Sequence, residues 1–279
     1  MFKTLTGHPP MLRSLASVFS ISMIAIATVG TAQTTARADQ WRDRCERDWN
    51  NGRGRFCEVR TYTVSPSATL SVDGGDNGGV AFFGSDRRDV QIEARIQASA
   101  DDDAEAKAIA GQIRILTDGG RIRSEGPELH GHSSWSVSYE VHVPTQSNLE
   151  ATTQNGGISA EDVKGQMTFE GTNGGIRLTD VGGNIRAHTT NGGVVANLSG
   201  TTWQGQGLDL RTTNGGATVY VPRGYNASLE TGTTNGSMRV DFPITVSGSL
   251  NRHISTQLGS GGPTVRVVTT NGGVHIAER

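Results

Sequence analysis

The chain has 279 residues and a mass of 29.5 kDa, enough for one large domain or two small ones built on a substantial core. Its 38 glycines, set against only 8 prolines and a mixed charge set, exclude collagen and a disordered linker. A formal net charge of -2 cannot supply the positive field of sequence-independent nucleic-acid binding, so no nucleic-acid partner is expected.

Residues 1–38 carry Lys3, Arg13 and Arg37, no acid, and an uncharged apolar run from Leu15 to Val29. This is the build of a secretory signal peptide. Small residues offer cleavage after Ala32 or after Ala38, and Met11 offers an alternative start. The run is shorter than the roughly 20 apolar residues of a spanning helix, so no stable membrane span is expected after cleavage. The expected address is export, to the periplasm or to the cell surface and beyond.

The next segment, 39–64, contains the only cysteines, Cys45 and Cys57. In an exported protein such an isolated close pair reads as a disulfide, with Asn51-Gly52 and Gly54 supplying the turn between them. No histidine lies between Asp39 and Arg60, which speaks against zinc.

Residues 65–147 are expected to form an irregular β region. Strands are read at 59–64, 80–83, 90–98, 113–116 and 135–143, the last alternating Trp135, Val137, Tyr139, Val141 and Val143 against polar residues. The acidic-headed segment 101–110 is the one helix candidate. This region would pair with, or cap, the C-terminal half of the chain.

From about 148 to 279 the chain is a repeat array. Asn-Gly-Gly recurs at Asn77, Asn155, Asn173, Asn191, Asn214 and Asn271, with the variant Asn235-Gly236-Ser237. Apolar-x-apolar triplets follow the turns and polar pairs such as Thr189-Thr190 and Thr212-Thr213 precede them. From Asn155 to Asn191 the turns lie 18 residues apart, in two nine-residue halves, each able to hold a strand and a corner. The fold class expected is therefore all-β: a solenoid-like stack of short strands with Asn155, Asn173, Asn191, Asn214, Asn235 and Asn271 at its corners. Antiparallel hairpins on Asn-Gly turns are the competing geometry, but they leave the nine-residue sub-period unexplained. Glycine is expected at the corners for its tolerance of positive φ, and the 36-residue gap before Asn271 suggests a degenerate unit near His253.

These features together, serial Thr-Asn-Gly-Gly-apolar strands behind an irregular β segment, resemble the bacterial putative-adhesin family of β-strand-repeat proteins, a domain of undefined function. The resemblance covers roughly residues 60–276 and implies a solenoid-like envelope protein. It supplies no catalytic residues to carry over.

No cofactor or metal is expected. Asp162 and Asp180 would stack, but Leu198 ends the column before a calcium site forms. His130 and His132 provide two ligands at most, and no G-x-S-x-G elbow accompanies the serines. Trp203, in the insertion SGTTWQGQG, is the candidate ligand contact, because long insertions in solenoids tend to lie on a binding face. The reading is an exported, non-catalytic β-repeat protein, an adhesin-like binding or scaffold module whose partner is a glycan or an envelope or surface protein. The alternative is a carbohydrate-active β-helix enzyme, a polysaccharide lyase or hydrolase.

Overall fold

The structure is a computed structural model that describes Cys45 and residues 53–244 and 252–279. Residues 1–38, where a signal peptide is expected, lie outside the described residues. In chain order the first half comprises β1 (Gly54–Val64), β2 (Leu70–Asp73), β3 (Val80–Ser85), β4 (Val90–Ala100), α1 (Asp103–Gln112), β5 (Arg114–Asp118), β6 (Arg121–Glu125) and β7 (Ser134–Pro144). The second half comprises β8 (Leu149–Thr153), β9 (Ile158–Glu161), β10 (Lys164–Gly171), β11 (Ile176–Thr179), β12 (Gly182–Asn191), β13 (Val194–Asn197) and β14 (Gly207–Asn214). It ends with β15 (Ala217–Val221), β16 (Ala227–Asn235), β17 (Met238–Val240), β18 (His253–Leu258), β19 (Thr264–Asn271) and β20 (Val274–Glu278).

The strands form two ten-stranded sheets. The first runs β1-β4-β7-β3-β9-β11-β13-β15-β20-β17 and the second β18-β16-β19-β14-β12-β10-β8-β2-β6-β5. Each coil of the repeat gives one strand to each sheet, and successive coils pair in parallel. Ile158, Ile176 and Val194 lie side by side in the first sheet, Met167 and Ile185 in the second. These partners are 18 residues apart, so the sequence period is the stacking period. Parallel pairing excludes the hairpin geometry.

Period-two alternation puts one aliphatic column of each strand inside. In the first sheet Val80, Ile158, Ile176, Val194, Ala217 and Val274 make one such column, and in the second Leu70, Leu149, Met167, Ile185, Leu208 and Val265 make its counterpart. Phe82 of β3 stacks on Phe169 of β10, ring centroids 5.8 Å apart, joining the sheets. Each fully buried aliphatic or aromatic side chain contributes about 1.5–3 kcal/mol, so the columns carry the fold.

Both sheets cross residues 147 and 148 without a break, since β2 pairs with β8 and β3 with β9. The first half supplies one coil, β2 and β3 around Asn77, and then an antiparallel end, β1-β4-β7. Helix α1 closes that end with Ala106, Ile109 and Ala110 inward. Asp102 caps it, accepting from Glu105 N at 2.8 Å, and the Arg60 guanidinium donates to the Ala110 and Ile113 carbonyls at its C-terminus.

At the other end the order of coils departs from the order of the chain. β19 and β20 do not follow β16 and β17 in the stack but insert before them: β19 pairs in parallel with β14 on one side and β16 on the other. Among the described residues no degenerate coil lies near His253. That residue begins β18, which runs antiparallel to β16 and closes the edge of the second sheet.

Candidate functional site

The corners are built from three side-chain roles. Asparagines form an amide ladder in which Asn173 donates to Asn155, Asn191 to Asn173, Asn214 to Asn191 and Asn271 to Asn214, each Nδ2 to Oδ1 at 2.8 Å. Asn235 donates to Asn271 at 2.9 Å, and Asn155 donates to Asn77 at 3.2 Å. The ladder is the side-chain version of the backbone pairing, each amide satisfied by the coil beside it. Inward from it, Thr153, Thr189, Thr212, Thr269 and Thr233 donate their hydroxyls to the carbonyls of Gly78, Gly174, Gly192, Gly215 and Gly272.

The first glycine of each Asn-Gly-Gly is fixed by crowding. A Cβ on Gly156, Gly174, Gly192 or Gly215 would lie 1.9–2.2 Å from the carbonyl oxygen of the equivalent glycine in the neighbouring coil. None of these four has a positive φ, so close approach, not the left-handed conformation, explains the residue type. The left-handed positions are at the opposite corner, where Asp162 and Asp180 have φ of 58° and 52°. Aspartate is among the few non-glycine residues that accept this region.

The second glycine is different. At Gly157, Gly175, Gly193 and Gly216 a Cβ would meet its nearest neighbour at 3.2–3.7 Å, and Ser237 occupies the same position in the end coil. These glycines are exposed. Their row leaves a trench across the outer face of the first sheet, a groove of about 460 Å³ floored by glycine backbone and bordered by Ala81, Ser159, Arg177 and Val195, with Arg95 at one end. The same side-chain row continues through Thr218 to His275 and Arg239. There His275 and Arg239 both bond Asp241, at 2.7 and 2.6 Å, and hold its carboxyl below the usual carboxylate range.

The outer face of the second sheet is ionic and self-paired. Arg186, Asp209, Arg266 and Glu230 follow one another across β12, β14, β19 and β16, alternating in sign. Arg211 clamps Asp209 at 2.6 Å, which raises the guanidinium pKa further. Such exposed pairs contribute little stability.

Of the residues singled out in the sequence, Cys45 and Cys57 form a disulfide, Cα atoms 5.4 Å apart, tying the N-terminal segment to β1. Trp203 is not displayed: it is 3% exposed and its indole N–H donates to the Gly183 carbonyl at 2.9 Å. The insertion around it stays largely exposed and the ring alone turns in to fill the corner, so the Trp203 side chain offers a ligand no surface. His130 and His132 are exposed, and among the described residues no group of three His, Cys, Asp or Glu side chains is placed to hold a metal.

A buried polar trio leaves no signal in the sequence. Glu93 of β4 and Glu140 of β7 face each other directly, and His142 Nε2 is 3.2 Å from Glu140 Oε1, all three residues 2% exposed. Phe83 stacks on the imidazole at 5.5 Å. Glu93 Oε2 and His142 Nδ1 find no hydrogen-bond partner, and Glu140 Oε1 has only the poorly aligned contact with His142. Alternation assigns them correctly to the outer face, where solvation is the ordinary expectation. Their burial depends on neighbours in space that no local pattern reveals.

Among the described residues no helix is long and apolar enough to cross a membrane. Comparison with curated proteins finds no match. Several solved structures are similar in fold at low identity. A "putative cell adhesion protein" from Clostridium sporogenes has a TM-score of 0.47 and 11% identity over 80% of this chain and 100% of its own. A "putative adhesin" from Bacteroides fragilis has a TM-score of 0.38 and 10% identity over 80% and 97%. Another "putative adhesin", from Parabacteroides merdae, has a TM-score of 0.32 and 10% identity over 79% and 95%. The model of one family, Toastrack DUF4097, matches residues 59–277, the two-sheet stack from β1 to the last strand, and the chain belongs to that family.

Proposed function

We propose that the protein is an exported, non-catalytic module of the cell envelope, adhesin-like, that binds a glycan or a surface protein on the outer face of its first sheet. The observation that carries this reading is the row of second glycines. Backbone crowding forbids any side chain at the first glycine of each corner, at 1.9–2.2 Å, but is milder at the second, where a Cβ would meet a carbonyl oxygen at 3.2–3.7 Å, and the second is what keeps the trench free of side chains. A stack stapled by amide and threonine ladders holds such a face rigid, which lowers the ordering cost of binding. The disulfide fits an oxidising compartment outside the cytoplasm. The buried trio Glu93, Glu140 and His142 lends the enzyme alternative no support, since groups 2% exposed offer a substrate no approach.

The test is binding of the exported chain to intact cells and envelope fractions, compared with Ser159→Trp, which fills the trench from its rim. Loss of binding by about tenfold or more at unchanged thermal stability is the expected result. Undiminished binding by Ser159→Trp would remove this face as the contact.

A further inference from the structure

A second concavity lies at the antiparallel end, where the amide ladder stops. We propose, resting on the binding-module reading above, that this pocket is a sugar site taking one or two uncharged pyranose rings of a glycan. Its volume is about 540 Å³, within the range of small-ligand sites.

Trp135 forms one wall. Its indole N–H is already spent on the Pro127 carbonyl at 2.9 Å, and Gly126 lies so close that a Cβ there would come within 2.8 Å of the ring. The ring is therefore fixed and offers only apolar surface. Such a platform suits the C–H face of a pyranose.

The pocket's polar groups suit the hydroxyls. Asp76 and Glu128 line it, both exposed, and neither carboxylate enters an ion pair or hydrogen bond among the described residues. Each is an acceptor awaiting a donor. Asn77, also in the lining, is the last amide of the ladder: its Oδ1 accepts from Asn155 while its Nδ2 has no acceptor among the described residues. All seven ladder amides point the same way, so each polarises the next and the donor end of the chain emerges at Asn77.

One sharpened amide donor, two carboxylate acceptors, the His130 imidazole, Ser124, Ser136 and a fixed aromatic wall match a neutral polyol with one apolar face. The two carboxylates repel an anion. An apolar ligand would strip them of water without replacement. His130 also lines the pocket, but among the described residues no group of three His, Cys, Asp or Glu side chains is placed to hold a metal.

The experiment titrates the full exported chain with neutral hexose and N-acetylhexosamine mono-, di- and trisaccharides, read by saturation-transfer NMR and tryptophan emission. Asp76→Asn with Glu128→Gln keeps the shape and exposure of both side chains, and the pair is expected to weaken binding about tenfold or more with melting unchanged. Trp135→Phe is expected to weaken it further and to remove the emission change. No saturation transfer at about 10 mM sugar, or binding indifferent to the double substitution, would overturn the proposal. So would binding of a lysine-rich peptide in place of sugar, lost in high salt. Envelope binding that persists in the double variant while no sugar binds would sink the pocket and spare the module; sugar binding without envelope binding would do the reverse.

Discussion

Asn235 donates its side-chain amide to Asn271, thirty-six residues further along the chain, and not to Asn214, its predecessor in sequence. Asn271 in turn donates to Asn214. The last coil to be synthesised is thus an interior rung, gripped on both sides. Replacing Asn271 by Ala breaks two hydrogen bonds of the ladder, whereas Asn235→Ala breaks one. Since net values are near 1 kcal/mol each, Asn271→Ala is expected to cost about 1–2 kcal/mol in urea denaturation and Asn235→Ala about half as much. Equal costs would mean that the ladder's order does not matter to stability.

The stacking period, the inward columns and the corner asparagines are legible because each is a local pattern repeated at a fixed interval. The order of the last coils is not. Intervals of 21 and 36 residues record how much chain lies between two turns and say nothing about which coil lies against which. Trp203 misleads for a related reason. An aromatic in a polar insertion looks displayed, yet a five-residue surplus at a corner leaves a gap that a large ring fills, and its N–H finds the Gly183 carbonyl. For the first glycine of Asn-Gly-Gly, sequence also points to the wrong reason, because backbone approach between coils leaves no trace in a single coil; the expected positive φ is found instead at the half-repeat corner, in Gly183 at 116°.

Adjacent glycines separate the two roles. A Cβ on Gly215 would lie 2.1 Å from the Gly192 carbonyl, while one on Gly216 would lie 3.7 Å from Gly273. Gly215→Ala is expected to destabilise by about 2–3 kcal/mol through forced backbone separation of two coils. Gly216→Ala is expected to stay within about 1 kcal/mol, with lower unfolded-state entropy working in its favour. Thermal melts of the two single variants decide the matter.

One coil lacks its threonine. Gly171 pairs with Thr189 in register, at the position where the other coils send a hydroxyl to a corner carbonyl. A Cβ there would be 3.2 Å from Thr189 Oγ1, which is held by its bond to the Gly174 carbonyl, so the two strands must give by a few tenths of an ångström. Gly171→Thr would supply a donor for the Gly156 carbonyl and reduce the freedom of the unfolded chain. Stabilisation by about 0.5–1.5 kcal/mol is expected. A lowered melting temperature would show that the column is too tightly packed at this coil to take the methyl group.

Tyr139 sets a limit at alkaline pH. It is fully buried and its hydroxyl meets no hydrogen-bond partner of good geometry, so burial raises its pKa to about 12, with neighbouring Ser124 offsetting only part of the effect. In the unfolded chain the phenol releases its proton near pH 10. Above that pH the unfolded state binds fewer protons than the folded state, so the stability due to the buried neutral phenol is complete below about pH 10 and is lost as pH rises towards 12. A gap of this size corresponds to roughly 3 kcal/mol in full, most of it lost between pH 10 and 12. Tyr139→Phe should therefore be neutral or slightly stabilising at pH 7, where it deletes an unpaired hydroxyl, and should lose about 1–2 kcal/mol less than the parent between pH 10 and 12. Urea denaturation at the three pH values measures the difference, and parallel losses in the two proteins would place the alkaline sensitivity elsewhere, Tyr225 being the next buried phenol with a pKa raised to about 12.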